Sequence, residues 1–153
     1  MQTFLPYPSF VQSAKCLDYK RLGKQRVEAG QILSVLLGET TGWKNHPAAK
    51  MWEGYEGCLR IYQSIMIRQW INRGYKNTMI GIEAIISLSD ADAIEFEAKY
   101  AEKFPEQIPP WIGRDEFHAS HRAALLYKEP VHYGKFGWTE EPKECYWWPT
   151  KNE

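Results

Sequence analysis

Pro47–Arg73 reads PAAKMWEGYEGCLRIYQSIMIRQWINR. Within it Trp52, Tyr55, Leu59, Tyr62, Met66 and Trp70 recur at intervals of 3, 4, 3, 4 and 4 residues. That is the period of one helical face and not the alternation of a strand. Pro47 suits the first turn behind Asn45–His46, where its missing N–H costs nothing, and Arg73–Gly74 suits a stop. The expected helix spans residues 47–73, about 40 Å at roughly 1.5 Å per residue. Its stripe of large side chains is a helix-packing core rather than a cofactor box. The chain is therefore expected to be all-α: a compact single domain, residues 1–153, of three to five helices around one long central helix. An extended N-terminal arm precedes these helices, and an irregular aromatic C-terminal tail follows them.

Upstream, the stretch to about Ser13 contains Pro6 and Pro8 and reads as the arm. A first helix is expected over roughly 14–37, stopped by Gly38. Leu22, Ala29, Leu33 and Leu36 share one side of it, and Gly23 and Gly30 either bend it or allow close packing. On the opposite side Lys20, Arg21, Lys24, Gln25, Glu28 and Gln31 occupy an arc of about 140° at 100° per residue. That face is polar and basic, suited to neutralising phosphates. Its single carboxylate, Glu28, is repelled by phosphates unless it has chemistry to perform. The competing reading is a surface pair between Lys24 and Glu28, in the weaker Lys-before-Glu order. Arg26 falls on the apolar side, where a guanidinium needs a partner.

Downstream, residues 79–88 are apolar but too short for their period to separate helix from strand. Ser89-Asp90-Ala91-Asp92 resembles a capping box, opening a helix to about Phe104. Pro105, Pro109 and Pro110 mark a linker, and a helix is expected over Asp115–Tyr127, ahead of Pro130. The tail, HYGKFGW through CYWWP, is rich in aromatics.

The formal net charge is zero, from 19 Lys+Arg and 19 Asp+Glu. The zero is a cancellation. Residues 1–76 hold 11 Lys/Arg against 5 Asp/Glu, whereas residues 77–153 hold 8 against 14. One acidic stretch, 77–107, supplies the balance with seven acids and two lysines. It reads as a solvated face lying away from the basic arc.

Cys16, Cys58 and Cys145 form no CxxC pair, and a sparse odd count suits a reducing compartment. The opening residues lack the basic start and apolar core of a signal peptide. The longest apolar run, around Met79–Leu88, is broken by Glu83 and is about half of a membrane span. A cytoplasmic protein with no membrane association is expected. No Gly-rich phosphate loop, GxSxG or HExxH motif is present. His118 and His121 lie beside Arg122 without a third ligand nearby, so no metal or cofactor is expected. With Ser120, Arg122 and Lys128 they form a candidate phosphate-contacting patch. His46 reads as a helix-start residue.

Three stretches together carry a resemblance. CLDYKRLGKQRVEAGQIL (Cys16–Leu33), YEGCLRIYQSIMIRQWINRGYKN (Tyr55–Asn77) and FHASHRAALLYKEPVHYGKFGW (Phe117–Trp138) resemble, in order, segments of the small pyrimidine-dimer DNA glycosylases of the phage endonuclease V type. They cover under half of the chain. The resemblance implies an all-helical monomer that binds double-stranded DNA, flips a nucleotide out and cuts its glycosidic bond, with or without a following strand break by β-elimination. It implies an N-terminal α-amine as nucleophile, assisted by a carboxylate on the first helix. An α-amine has a pKa of about 7.7–8, so much of it is unprotonated near neutrality. By position Glu28 resembles that carboxylate and Met1 supplies the amine. Lys20, Arg21, Lys24, Gln25 and Arg26, with His118, Ser120, His121, Arg122 and Lys128, are the expected DNA contacts.

The chain departs from the pattern in two places. Val27 separates Arg26 from Glu28, where the family has Arg directly before Glu. Residue 2 is Gln, too large for ordinary removal of Met1, so either Met1 keeps the amine or Glu28 activates water. The alternatives from other classes are a non-catalytic DNA- or RNA-binding protein on the same scaffold and a protein-interaction module using the 77–107 segment.

Overall fold

The computed structural model describes residues 1–149. Among these the chain is helical throughout, with no strand. The helices are α1 (Phe10–Cys16), α2 (Tyr19–Leu36), α3 (Pro47–Lys50), α4 (Glu56–Asn72), α5 (Glu83–Ile86), α6 (Asp90–Lys103), α7 (Asp115–Lys128) and α8 (Pro130–Tyr133). Three of them (α3, α5 and α8) are single turns, which leaves five longer helices, as the expected count allows.

Helix α4 is the axis. Its residues from Leu59 to Trp70 are buried except Arg60, and those buried include Gln63, Ser64, Arg68 and Gln69. Such a helix is enclosed on all sides rather than amphipathic. Helices α1, α2 and α5 pack against it, α2 most extensively. Leu22, Ala29, Ile32 and Leu33 of α2 join Leu59, Tyr62 and Met66 of α4 in one core with Trp52, Phe117 and Tyr133. At Gly30 of α2 an added methyl group would sit 2.8 Å from Gln63 Nε2 of α4, and the Gln63 side chain would have to shift.

Two expected helices are each divided. The 14–37 helix is α1 plus α2. Ser9 Oγ accepts from Gln12 N at 3.1 Å and starts α1 inside the supposed arm. The chain then extends at Leu17 and Asp18 (ψ 139° and 164°) before α2 begins. Both sides of the break have distant partners. Arg73 Nη2 donates to the carbonyls of Ala14, Lys15 and Leu17 at 3.2, 3.1 and 2.7 Å, and Asp18 N donates to Tyr133 Oη at 3.0 Å.

The 47–73 helix is likewise α3, a turn over Met51–Tyr55, and the 17 residues of α4. Gly54 takes φ +89°, a left-handed conformation that other residues adopt at a cost. The aromatic stripe survives the break, because Trp52 remains fully buried on the core side.

Helix α6 starts as its capping residues predict, with Ser89 Oγ accepting from Asp92 N. Residues 79–88 contain the single turn α5. Two acids of the 77–107 stretch dock it to the rest of the molecule. Asp90 pairs with Lys15 at 3.0 Å and with the buried Arg68. Glu97 accepts from Ser9 Oγ, Phe10 N and Val11 N at the start of α1. Burial raises the Glu97 carboxyl, and these three donors only partly offset it. Glu83, Asp92, Glu95, Glu102 and Glu106 are exposed. No described helix is long and apolar enough to cross a membrane.

Candidate active site

The N-terminal arm is threaded through the core. Residues 2–6 are buried, and each is tied to the surrounding helices or to its neighbour. Trp52 Nε1 donates to Thr3 Oγ1 at 3.0 Å. Phe4 N donates to Gln25 Oε1 at 2.8 Å, and Phe4 O lies 2.9 Å from the Tyr62 hydroxyl. Leu5 N donates to His121 Nδ1 at 2.8 Å, and Leu5 O accepts from His118 Nδ1 at 2.7 Å. Arg122 Nη1 donates to Pro6 O at 2.8 Å.

His118 and His121 therefore face the arm rather than the expected phosphate-contacting surface. They are 2% and 0% exposed and grip both polar groups of Leu5. Their tautomers follow from their partners. His118 Nε2 accepts from Gly113 N, leaving its proton on Nδ1, while His121 must carry its proton on Nε2. Burial lowers the His118 pKa and pushes that of His121 down to about 3, so both stay neutral as this bonding requires. Ser120 and Arg122 also fall outside the expected patch. The Ser120 hydroxyl donates to Phe117 O, and Arg122 is shared between Pro6 O and Glu140 (3.0 Å).

The clamped arm delivers Met1 to a cavity of about 540 Å³, a size that suits a small-molecule or nucleotide ligand. Glu28 lines the same cavity, and Gln25 couples the two. Gln25 is fully buried rather than part of an exposed basic face. Its Oε1 faces two donors, Phe4 N and the Tyr62 hydroxyl (2.6 Å), which leaves Nε2 to donate to Glu28 Oε2 at 3.1 Å. Glu28 thus takes the Gln25 amide instead of pairing with Lys24. Burial, and after it the Glu28 charge, holds the Tyr62 hydroxyl well above its ordinary range, so it remains a donor.

Lys20, Arg21, Lys24 and Lys128 also line this cavity. Lys20 and Lys24 are exposed and carry no ion pair among the described residues. Arg21 is tethered to Asp18 at 3.2 Å, and Lys128 to Glu144 at 2.9 Å. Burial alone would raise the Asp18 carboxyl, but the Tyr133 hydroxyl and Arg21 outweigh it and hold it low. Arg26 is directed elsewhere. Its guanidinium lies 4.1 Å from the Trp70 ring centroid and donates to Asn77 Oδ1 at 2.8 Å, so it braces α2 against the end of α4. No residue of 77–107 lines the cavity.

Four lining residues have no advance signal in the sequence. Gln2 and Phe4 come with the arm, and Glu144 and Tyr146 come with the tail, which returns over α7 through Lys143 N to Ala123 O. Tyr146 meets Phe4 edge to face at 6.1 Å. Burial, then Glu144 and Glu28, pushes its pKa up to about 12, which keeps a neutral phenol beside the carboxylate. His46 caps α3 as expected, its Nδ1 accepting from Ala48 N. Burial and the nearby N-terminal charge lower its pKa. Among the described residues no group of three or more His, Cys, Asp or Glu could hold a metal ion.

The arrangement offers a primary amine and a carboxylate in one cavity, with two unpaired lysines at its edge. A family model described as pyrimidine dimer DNA glycosylase matches residues 1–82, more than half of the chain. That span holds the arm and α1–α4, and with them Met1, Lys20, Lys24, Gln25 and Glu28. The Phe117–Trp138 stretch lies outside it. None of the curated proteins and none of the solved structures compared with the chain matches it.

Proposed function

The chain belongs to the pyrimidine dimer DNA glycosylase family, and from that premise we propose that it acts as a monomer on duplex DNA, excising damaged or modified pyrimidines at the Met1–Glu28 cavity. One observation carries this reading: Met1 and Glu28 line one cavity, and Gln25 bonds both the Met1-bearing arm and Glu28.

Lys20, Lys24 and the tethered Arg21 neutralise phosphates, and the target nucleotide leaves the stack for the cavity. Flipping costs a few kcal/mol, least at a damaged pair, which itself favours lesions. The Met1 amine, once unprotonated, gives its lone pair to C1′ of the sugar. The C1′–N bond breaks, and the base departs with that electron pair and takes up a proton. Glu28 stabilises the positive charge that develops at the sugar and moves protons. Loss of the amine protons and opening of the sugar ring leave an imine. Removal of a C2′ proton then expels the 3′ phosphate by β-elimination.

The test is incubation with duplexes carrying a thymine dimer or a modified pyrimidine, with borohydride present. The expected result is a covalent adduct that maps to Met1. An abasic site without an adduct would assign the hydrolytic route, with Glu28 activating water. Glu28→Gln is expected to slow excision by about 10²–10⁴-fold while duplex binding persists. Absence of excision from every duplex, with Glu28→Gln indistinguishable from wild type, would refute the proposal.

A further inference from the structure

Gln2 lines the cavity beside Met1 and is 4% exposed. Its Oε1 accepts from Thr3 N at 2.9 Å, which sets the orientation of the amide, since rotation would turn one donor on another. The other end, Nε2, is buried without a partner. Native folds keep such orphaned donors to a few sites, and each needs a reason. The contrast with its neighbours is sharp. Thr3, Phe4, Leu5 and Pro6 each have a partner on a distant helix or loop. Gln25, the other buried amide of this cavity, uses both of its ends. The Gln2 amide and the His121 ring each keep a buried donor unpaired, and of the two residues only Gln2 lines the cavity.

Resting on the proposed glycosylase reading, we infer that Gln2 is a specificity-determining residue whose Nε2–H donates to a ring carbonyl oxygen of the pyrimidine held in the cavity. A carboxamide N–H requires an acceptor. Thymine offers O2 and O4, cytosine offers only O2 because its C4 carries an amine, and an abasic sugar offers neither. The contact therefore selects substrates that still carry their base. It also separates two sources of the same chemistry: an O4 reader favours thymine over cytosine, and an O2 reader treats them alike.

The test compares wild type with Gln2→Met, which has no donor and whose size at position 2 keeps Met1 in place. Each is assayed on a thymine-dimer duplex, a cytosine-containing dimer duplex and an abasic duplex, by cleavage where the wild type cuts and by competition binding where it does not. The expected outcome is a roughly tenfold fall in the ratio of dimer to abasic kcat/KM, the loss of one hydrogen bond to a buried partner. A fall on thymine alone assigns O4, and an equal fall on both dimers assigns O2. Equal losses on dimer and abasic duplexes would mean that Gln2 merely holds the arm, and no loss on any would mean that it contacts no base. Either result overturns the inference while the glycosylase reading stands. A wild type inert on every duplex overturns both.

Discussion

Gln25 is the residue whose replacement best separates a coupled site from two residues that merely lie close. Gln25→Leu is similar in volume, though branched one carbon earlier. It removes the acceptor used by Phe4 N and Tyr62 and the donor used by Glu28. The Tyr62 hydroxyl can fall back on Phe4 O at 2.9 Å, but Phe4 N is left buried with nothing to bind. An orphaned buried donor costs about 1–3 kcal/mol. For a chain of this size each kcal/mol lowers the melting temperature by about 2–4 °C. The expected drop is therefore about 2–12 °C, read by circular dichroism. Activity should fall much further, by about a hundredfold in single-turnover cleavage, because both the amine-bearing arm and the carboxylate lose their shared support. Gln25→Glu keeps the acceptors but sets two carboxylates about 3 Å apart, where they cannot both ionise readily, so its rate–pH profile should gain an ionisation that wild type lacks. A Gln25→Leu protein that melts within 1 °C of wild type and cuts within threefold of its rate would show that the bridge does no such work.

Three further outcomes follow from the geometry. Glu28→Gln should lose excision and keep duplex binding, measured side by side by gel shift and product release. Lys20→Ala and Lys24→Ala should each flatten the plot of log binding constant against log salt by about 0.9, because each removes one phosphate contact; an unchanged slope would exclude that lysine from the interface. His121 should make the fold acid-sensitive. Its folded pKa of about 3 lies below the ordinary unfolded value near 6.5, so above 6.5 neither state binds the proton and nothing is lost. Between 6.5 and about 3 only the unfolded chain binds it, and stability falls as pH falls by up to about 1.4 kcal/mol per pH unit. Denaturant melts at pH 7 and pH 5 should show this loss, and His121→Asn, which keeps an acceptor for Leu5 N, should show less of it.

What the sequence disclosed was local. The Trp52–Trp70 stripe, the Ser89–Asp92 start of α6, the helix over Asp115–Lys128 and the basic arc on α2 all depend on neighbours within one or two turns. What it concealed depends on partners far along the chain. The break between α1 and α2 is held by Arg73 and Tyr133, the latter 115 residues from Asp18. The histidines of α7 look like a surface pair by spacing, and only their 116- and 113-residue reach to Leu5 shows them as clamps. Glu28 stands out in the sequence because a lone acid on a basic arc is conspicuous, and the structure places it in the cavity with Met1. Gln25 lies on the same arc yet is buried, because helical angle alone does not say which edge of a polar face turns inward.

The family match ends at residue 82, but the site does not. His118, His121 and Arg122, all on α7, supply every distant partner of Leu5 and Pro6. Tyr146 and the Lys128–Glu144 pair close the far wall of the cavity. Residues 1–82 alone would hold the arm at Thr3 and Phe4 only, leaving two buried groups of Leu5 and one of Pro6 unpaired. The same division explains the charge. The 77–107 stretch spends Asp90 and Glu97 on docking to α1 and α4 and exposes its other acids away from the cavity. Lys20 and Lys24 can then stay unpaired at the edge of a cavity in a chain whose net charge is zero. Neutrality of the whole and a locally basic face are compatible here because the balancing acids are held on a separate element, not because the charges pair.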